Sequence, residues 1–309
     1  MKRLAVKSLL LMLWLPSMAA QAMTVWEPLG SGNGYFGGDG AAAGGDVIGD
    51  AGGFDILNLT ASQSGGNLTV NILTNFSEGA LLGDSSTSKI VFGDLILATG
   101  SDPWHPSTSE VCSGALPGSG INYTCDTASN SGTLWNYVVQ TQHPGAMSPG
   151  DSVNGSDALY SVASANLLNS NDAGSLQDGV RRDNQYVGLG TGGTDTLKTA
   201  SETIASVLIA KPADPVNDPS CTINPDVCTN YILGSLLTFN ISLADIGILE
   251  SDYANTSVAI RWTMTCANDI VESSLQLAST VPEPGGLVLF LGGLAGLGLV
   301  RRPKRLFVR

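Results

Sequence analysis

Apolar and polar residues alternate in short runs along this chain, and a two-residue period confines such runs to strands with one buried face. Leu68-Thr69-Val70-Asn71-Ile72 shows the alternation best. Phe54-Asp55-Ile56-Leu57-Asn58-Leu59 precedes it, and Gln63-Ser64-Gly65-Gly66-Asn67 between the two reads as a hairpin turn. The pattern predicts further strands at 89–98, 133–139, 158–162, 204–210, 237–243 and 258–264. In the last of these Val258, Ile260, Trp262 and Met264 fall on one face. Only 243–249 and 161–168 carry the spacing of short helices. The chain is rich in Gly, Ser, Thr, Asn and Asp and poor in Lys and Glu, a composition that weakens helices and favours tight turns. The expectation is an all-β body, an antiparallel β-sandwich. No repeat of roughly 20–50 residues is evident, which disfavours a propeller or solenoid.

The two ends depart from this pattern. Residues 1–22 open with Lys2, Arg3 and Lys7, continue with the apolar Leu9-Leu10-Leu11-Met12-Leu13-Trp14-Leu15, and finish with Ala20-Gln21-Ala22. Charge, apolar core and small residues in that order read as a secretory signal peptide, with Ala20 and Ala22 as the signal-peptidase recognition residues and cleavage after Ala22. The apolar core is too short to span ~30 Å of hydrocarbon. At the other end, Val281-Pro282-Glu283-Pro284 leads into 285–300, which carry no charge, and then into Arg301-Arg302-Pro303-Lys304-Arg305. As a helix rising ~1.5 Å per residue this run reaches ~24 Å, slightly short of a usual span. Snorkelling Arg and Lys make up the difference, and the basic cluster holds that end in the cytoplasm. The predicted organisation is a signal peptide at 1–22, an extracytoplasmic β-rich body at 23–280 and a tail at 281–309 containing a transmembrane helix at 285–300. A division of the body into two domains near 140–150 stays open.

Removing the ends sharpens the charge. Of 14 basic residues three lie in 1–22 and five in 281–309, so the body keeps six against 26 acids once Glu283 is set aside. Such a body repels phosphate backbones, which excludes nucleic acid as a natural partner. It stays soluble through self-repulsion. Its cysteines suit an oxidising compartment: Cys112 with Cys125 and Cys221 with Cys228 would each close a loop rich in turn residues. Cys266 is then the odd residue, and exchange such as Cys228 with Cys266 stays open.

The tail resembles the PEP-CTERM sorting signal, named for the Pro-Glu-Pro that stands here as Pro282, Glu283 and Pro284. That resemblance implies a precursor held transiently in the inner membrane of a Gram-negative bacterium. It implies recognition through those three residues and processing by an exosortase, then release to the cell surface or exopolysaccharide matrix. Gly292 and Gly296 add a small-residue spacing suited to helix packing. The body is similar to one group of these surface proteins at Phe54-Asp55-Ile56, Leu73-Thr74-Asn75-Phe76, Gly93-Asp94-Leu95-Ile96-Leu97, Trp135-Asn136-Tyr137 and 261–269. This likeness implies a β-rich exported domain with no assigned reaction.

Motifs for catalysis are missing: no Gly-x-Ser-x-Gly, His-Glu-x-x-His or Walker loop occurs. Gly188-Leu189-Gly190-Thr191-Gly192 lacks a following Lys and helix and reads as a turn. Asp102-Pro103-Trp104-His105-Pro106 reads as a rigid loop, and both histidines, His105 and His143, precede a proline. The expectation is therefore no enzyme and no resident cofactor. Calcium is the one candidate ion, through Asp39, Asp46 and Asp50 in a Gly-rich loop, although their spacing matches neither an EF-hand nor a nonapeptide repeat. The sequence thus points to a structural or adhesive envelope or matrix protein. A carbohydrate-binding module is the alternative, with Trp104 the best exposed stacking candidate and Trp135 and Trp262 assigned to the core; a secreted hydrolase, needing a spaced carboxylate pair, ranks third.

Overall fold

The computed structural model describes residues 21–26, 34–36, 51–78, 90–105, 111–115, 122–126, 132–145, 147–170, 185–210, 231–267 and 269–278. The alternating runs become strands. β1 (Gln21–Trp26) and β2 (Gly34–Phe36) are followed by a single helical turn, Ala51–Phe54, and then by β3 (Ile56–Ser64) and β4 (Asn67–Thr74). The hairpin between β3 and β4 turns on Gly65, whose positive φ of 57° is open to glycine without a steric penalty. Next come β5 (Leu95–Gly100), β6 (Val111–Ala115), β7 (Asn122–Asp126), β8 (Tyr137–Val139), β9 (Ser152–Ser161), β10 (Leu167–Asn169) and β11 (Tyr186–Leu189). β12 (Thr196–Ala210), β13 (Tyr231–Ser242), β14 (Ser257–Thr263) and β15 (Ile270–Gln276) complete the set.

Eleven strands join one antiparallel sheet in the order β1-β3-β4-β13-β12-β9-β8-β5-β14-β15-β2. The sheet curls until its two ends meet, so the body is nearly a barrel. β1 lies against β15. The buried Gln63 of β3 closes the seam with both ends of its amide: Nε2 donates to the Ala278 carbonyl (3.2 Å) and Oε1 accepts from the Ala278 N–H (2.8 Å). Asp269 Oδ2 accepts the Ile56 N–H across the same seam at 2.6 Å. These bonds use backbone groups that an open edge would leave without a strand to pair with. The expected all-β antiparallel body is therefore present; eleven of its described strands form one continuous sheet, and β6–β7 and β10–β11 form two small ones.

The inner face carries the core. Leu59, Val70, Phe239, Ile204, Leu159, Leu97, Trp262 and Leu275 come from eight strands around the sheet and pack into one apolar cluster. Val258, Ile260, Trp262 and Met264 all enter it, as their shared face predicts. A chain of rings runs through one end: Phe54 stacks on Phe76 (5.8 Å), Phe76 meets Phe92 edge-on (5.3 Å), and Phe92 lies 6.2 Å from Trp262. The outer face is covered as well. Trp135, Val162 and Leu167 pack over Ile96, Val138 and Ala259, and the small β10–β11 sheet belongs to this covering layer. That is why every residue of β14 is buried.

Three element boundaries differ from expectation for physical reasons. The 133–139 run begins pairing only at Tyr137, because Trp135 turns into the outer layer and Asn136 donates to the Leu97 carbonyl (3.0 Å). β15 has no clean alternation, since both of its faces are buried. The two helical patterns appear as single 3₁₀ turns, Ser164–Asn166 and Leu243–Ile246, the second stopped by Gly247 with φ 77°. One compact unit covers Ala20–Ser279.

Candidate functional site: an acid-tethered strap

The segments 261–269, 93–97, 54–56, 73–76 and 135–137 stand far apart in the chain and meet at one end of the sheet. Trp262 Nε1 donates to the Gly93 carbonyl (3.0 Å), and the Gly93 N–H donates to the Thr263 carbonyl (3.0 Å). Asp55 and Asn75 bond reciprocally, Asp55 N–H to Asn75 Oδ1 at 2.7 Å and Asn75 N–H to the Asp55 carbonyl at 3.0 Å.

Beside this junction the segment 140–145, leaving β8, crosses the inner end of the sheet as a strap, held chiefly by three buried acids. Thr141 donates its N–H to Asp94 Oδ1 (2.8 Å) and its hydroxyl to the Gly93 carbonyl (2.8 Å). The Gln142 N–H donates to Glu202 Oε2 on β12 (3.0 Å). His143 Nδ1 lies 3.0 Å from Glu78 Oε1, and the Gly145 N–H donates to Glu78 Oε2 at 3.2 Å. Glu78 Oε1 also accepts the Phe92 N–H (2.8 Å), which ties the strap to the aromatic chain of the core. Asp94 Oδ2 accepts a further N–H from Leu189 (2.8 Å), linking the strap to the outer layer.

The Gln142 side chain reaches Asp157 on β9 as well. It sits where β9 has no side chain: a Cβ added at Gly155 would lie 1.3 Å from Gln142 Nε2. Register explains the rest. Asp157 stands opposite Ala200 and Gly155 opposite Glu202, so Asp157 and Glu202 are diagonal neighbours on the inner face. Both are buried, at 6% and 2% exposure, and their carboxyls are in hydrogen-bonding reach of one another. Burial raises the Asp157 pKa and pushes Glu202 up to about 9. Burial also raises Asp94, against the two N–H groups that bond it. His143 is raised by its hydrogen bond to Glu78.

The outer face carries a second polar cluster. Arg261 on β14 pairs with Glu272 directly opposite on β15, both buried. Arg261 Nη2 donates to Gln185 Oε1 (2.9 Å) and Nε to the Tyr186 carbonyl (3.0 Å), while Trp104 Nε1 donates to Glu272 Oε2 (3.2 Å). Trp104, expected as an exposed platform, is thus half-buried and bonded into this cluster; Trp135 and Trp262 are core residues, as expected. The glycines of 188–192 serve packing. A Cβ at Gly188 would lie 2.6 Å from Asp94 Oδ2, and one at Gly192 would lie 2.1 Å from Asn166 Cγ.

Of the other predicted site residues, Ala22 is exposed in β1 opposite Ser62. The β6–β7 register sets Cys112 opposite Cys125, and Cys266 is buried. Ala20, Asp39, Asp46, Asp50, Cys221, Cys228, Pro282, Glu283, Pro284 and the helix expected at 285–300 lie outside the described residues. Among the described residues no group of three or more His, Cys, Asp or Glu is arranged to hold a metal ion, and no helix is long and apolar enough to cross a membrane. Comparison with protein-family models, with curated proteins and with solved structures finds no match.

The strap is what sequence reasoning missed. Its signal is weak, because Asp94, Asp157 and Glu202 stand far apart in the chain, beside β5, in β9 and in β12, and nothing local marks them as neighbours. One clue is legible in retrospect. Asp157 stands at an inward position two residues before Leu159, and Glu202 at one between Ala200 and Ile204.

Proposed function

We propose that the chain is an exported structural or adhesive protein of the bacterial cell surface or exopolysaccharide matrix, sorted through its C-terminal tail by an exosortase. One observation carries the reading. Pro282-Glu283-Pro284, a charge-free run at 285–300 and a basic cluster at 301–305 follow one another in the order of the PEP-CTERM signal. Three further features support it. The compact unit ends at Ser279, just before the tail sequence at 281–309. Cleavage after Ala22 would keep Met23–Trp26 of β1 in the mature sheet, so processing and fold are compatible. Directly opposed residues of an antiparallel pair have Cα atoms ~4.5–5.5 Å apart, within the range a disulfide spans, so Cys112 and Cys125 are suited to join once the chain is outside the reducing cytoplasm. At the finer level of fold, we read the curled sheet as flattened, with its opposing walls packed as the two layers of a sandwich.

A non-catalytic role agrees with the polar clusters. Asp157 and Glu202 touch each other beneath Gln142, whereas glycoside hydrolysis needs two carboxyls ~5 Å or more apart with a sugar between them. Trp104 is already committed to Glu272, which removes the main support for a sugar platform.

Intact mass of the protein recovered from the cell surface tests the proposal. The expected species has lost 1–22 and the tail beyond the Pro-Glu-Pro, and its mass rises on reduction and alkylation by the labels of the disulfide thiols. A full-length chain in the soluble cytoplasmic fraction, with all cysteines alkylated before reduction, would overturn it.

A further inference from the structure

Among the described residues, Asp157 Oδ2 and Glu202 Oε1 have no hydrogen-bond partner, although both residues are more than nine-tenths buried. Two ionised carboxylates in contact in an apolar interior, each with an oxygen lacking a donor, are expensive on two counts: desolvation and like-charge repulsion. Among the described residues no lysine or arginine is bonded to either. The charged and titratable groups around them are few. The strap brings His143 and, through it, Glu78; the approach to β5 brings Asp94; β8 brings Tyr137; β13 brings no charged side chain. Lys198 of β12 is turned to Asp245, 2.8 Å away, with most of its side chain in solvent. One proton placed between the carboxyls removes one charge and supplies the missing donor at the same time.

We propose that Asp157 and Glu202 hold a single proton between them, and that this shared proton anchors the 140–145 strap across the inner end of the sheet. The strap depends on the pair because Gln142 spans both of its members. Its N–H donates to Glu202 and its side chain bonds Asp157 above Gly155. Loss of the proton leaves two adjacent buried anions with one strap residue between them, and the strap is then the element that yields, because it is the part free to move away without breaking the β9–β12 ladder. The body is thereby tightest in acid and loosens toward alkaline pH. The direction follows from linkage: a carboxyl that keeps its proton in the fold and releases it near pH ~4 when unfolded contributes stability that declines as pH rises through its folded pKa. This holds wherever the chain resides and does not depend on its sorting.

The experiment uses the full chain in detergent, comparing it with Glu202→Gln in a His143→Gln background, so that the imidazole does not contribute to the titration. Infrared spectroscopy reads the protonated-carboxyl stretch, and hydrogen exchange reads the strap amides, at pH 5, 7 and 9. A protonated-carboxyl band at pH 7 that survives Asp94→Asn and disappears in Glu202→Gln is expected. Strap amides should exchange faster at pH 9 than base catalysis alone explains, and Glu202→Gln should abolish that excess. Absence of the band at pH 7 would overturn the proposal. So would equal strap exchange in both proteins, or calcium ions protecting the strap at pH 8 only when Glu202 is present, since a cation would then be doing the proton's work. Should Glu202→Gln fail to fold, Asp157→Asn offers the same comparison from the other strand, and the wild-type band decides by itself.

Discussion

Two carboxylate clusters sit on opposite faces of the same sheet, and they solve the cost of burial differently. On the outer face Glu272 meets Arg261 directly across the β14–β15 ladder, and both guanidinium and carboxylate find further partners in Gln185, Tyr186 and Trp104. On the inner face Glu202 meets another acid, and among the described residues it is the strap, through Gln142, that bonds the pair. A buried ion pair needs its partners to stay put. A buried acid pair needs a proton, which solvent can add or remove. The first arrangement is fixed by side chains and the second is conditional on pH, although both use cross-strand neighbours.

The largest expected effect comes from taking away the cation. Arg261→Met should destabilise the body by about 3–5 kcal/mol in urea unfolding, because Glu272 is left charged and buried; Arg261→Met with Glu272→Leu should recover most of that loss, since a packed apolar pair replaces the ion pair at similar volume. If the double variant is no better than the single one, the cluster is held by its hydrogen-bond geometry and not by charge balance. Gly155→Ala should cost about 1–3 kcal/mol by the same measurement, because the new methyl occupies the place of Gln142 Nε2 and the Gln142 side chain must leave Asp157. It should also speed exchange at the Gln142 amide, an effect that overpacking elsewhere would not produce.

The comparison sharpens further with pH. Asp94, Asp157 and Glu202 are all raised by burial, and His143 is raised by its bond to Glu78. Each binds its proton more tightly folded than unfolded, so each contributes stability that is full in acid and is lost as pH rises, for Glu202 up to about 9. The melting temperature should fall from pH 5 to pH 9, and Arg261→Met should lower it at every pH in that range. Trp104→Phe should have the smallest effect, about 1–2 kcal/mol at every pH, from the lost indole bond to Glu272. A pH-dependent loss in Trp104→Phe would show that the two faces are coupled through the sheet.

Much of the fold was legible because its cause is local. The hairpin at Gly65, the strands at Asn67–Thr74 and Ser257–Thr263, and the inward face of Val258, Ile260, Trp262 and Met264 follow from alternation and turn chemistry alone. Where both faces are buried the alternation disappears, and β15 was invisible for that reason. Trp104 looked like a surface aromatic because Pro103 and Pro106 flank it, yet Glu272, 168 positions further on, draws its indole inward.

By itself the sequence determined the period of the strands, the places where glycine or asparagine turns the chain, the acidic excess of the body and the character of the two ends, since each depends on residues adjacent in the chain. Only the tertiary structure decided that eleven strands form one sheet curled upon itself, that Gln63 and Asp269 close its seam, and that Asp157 and Glu202 become neighbours under Gln142. Those outcomes depend on pairings across tens to hundreds of residues. No local propensity encodes such a pairing; it is settled by which register buries the most apolar surface while leaving the fewest polar groups without a partner.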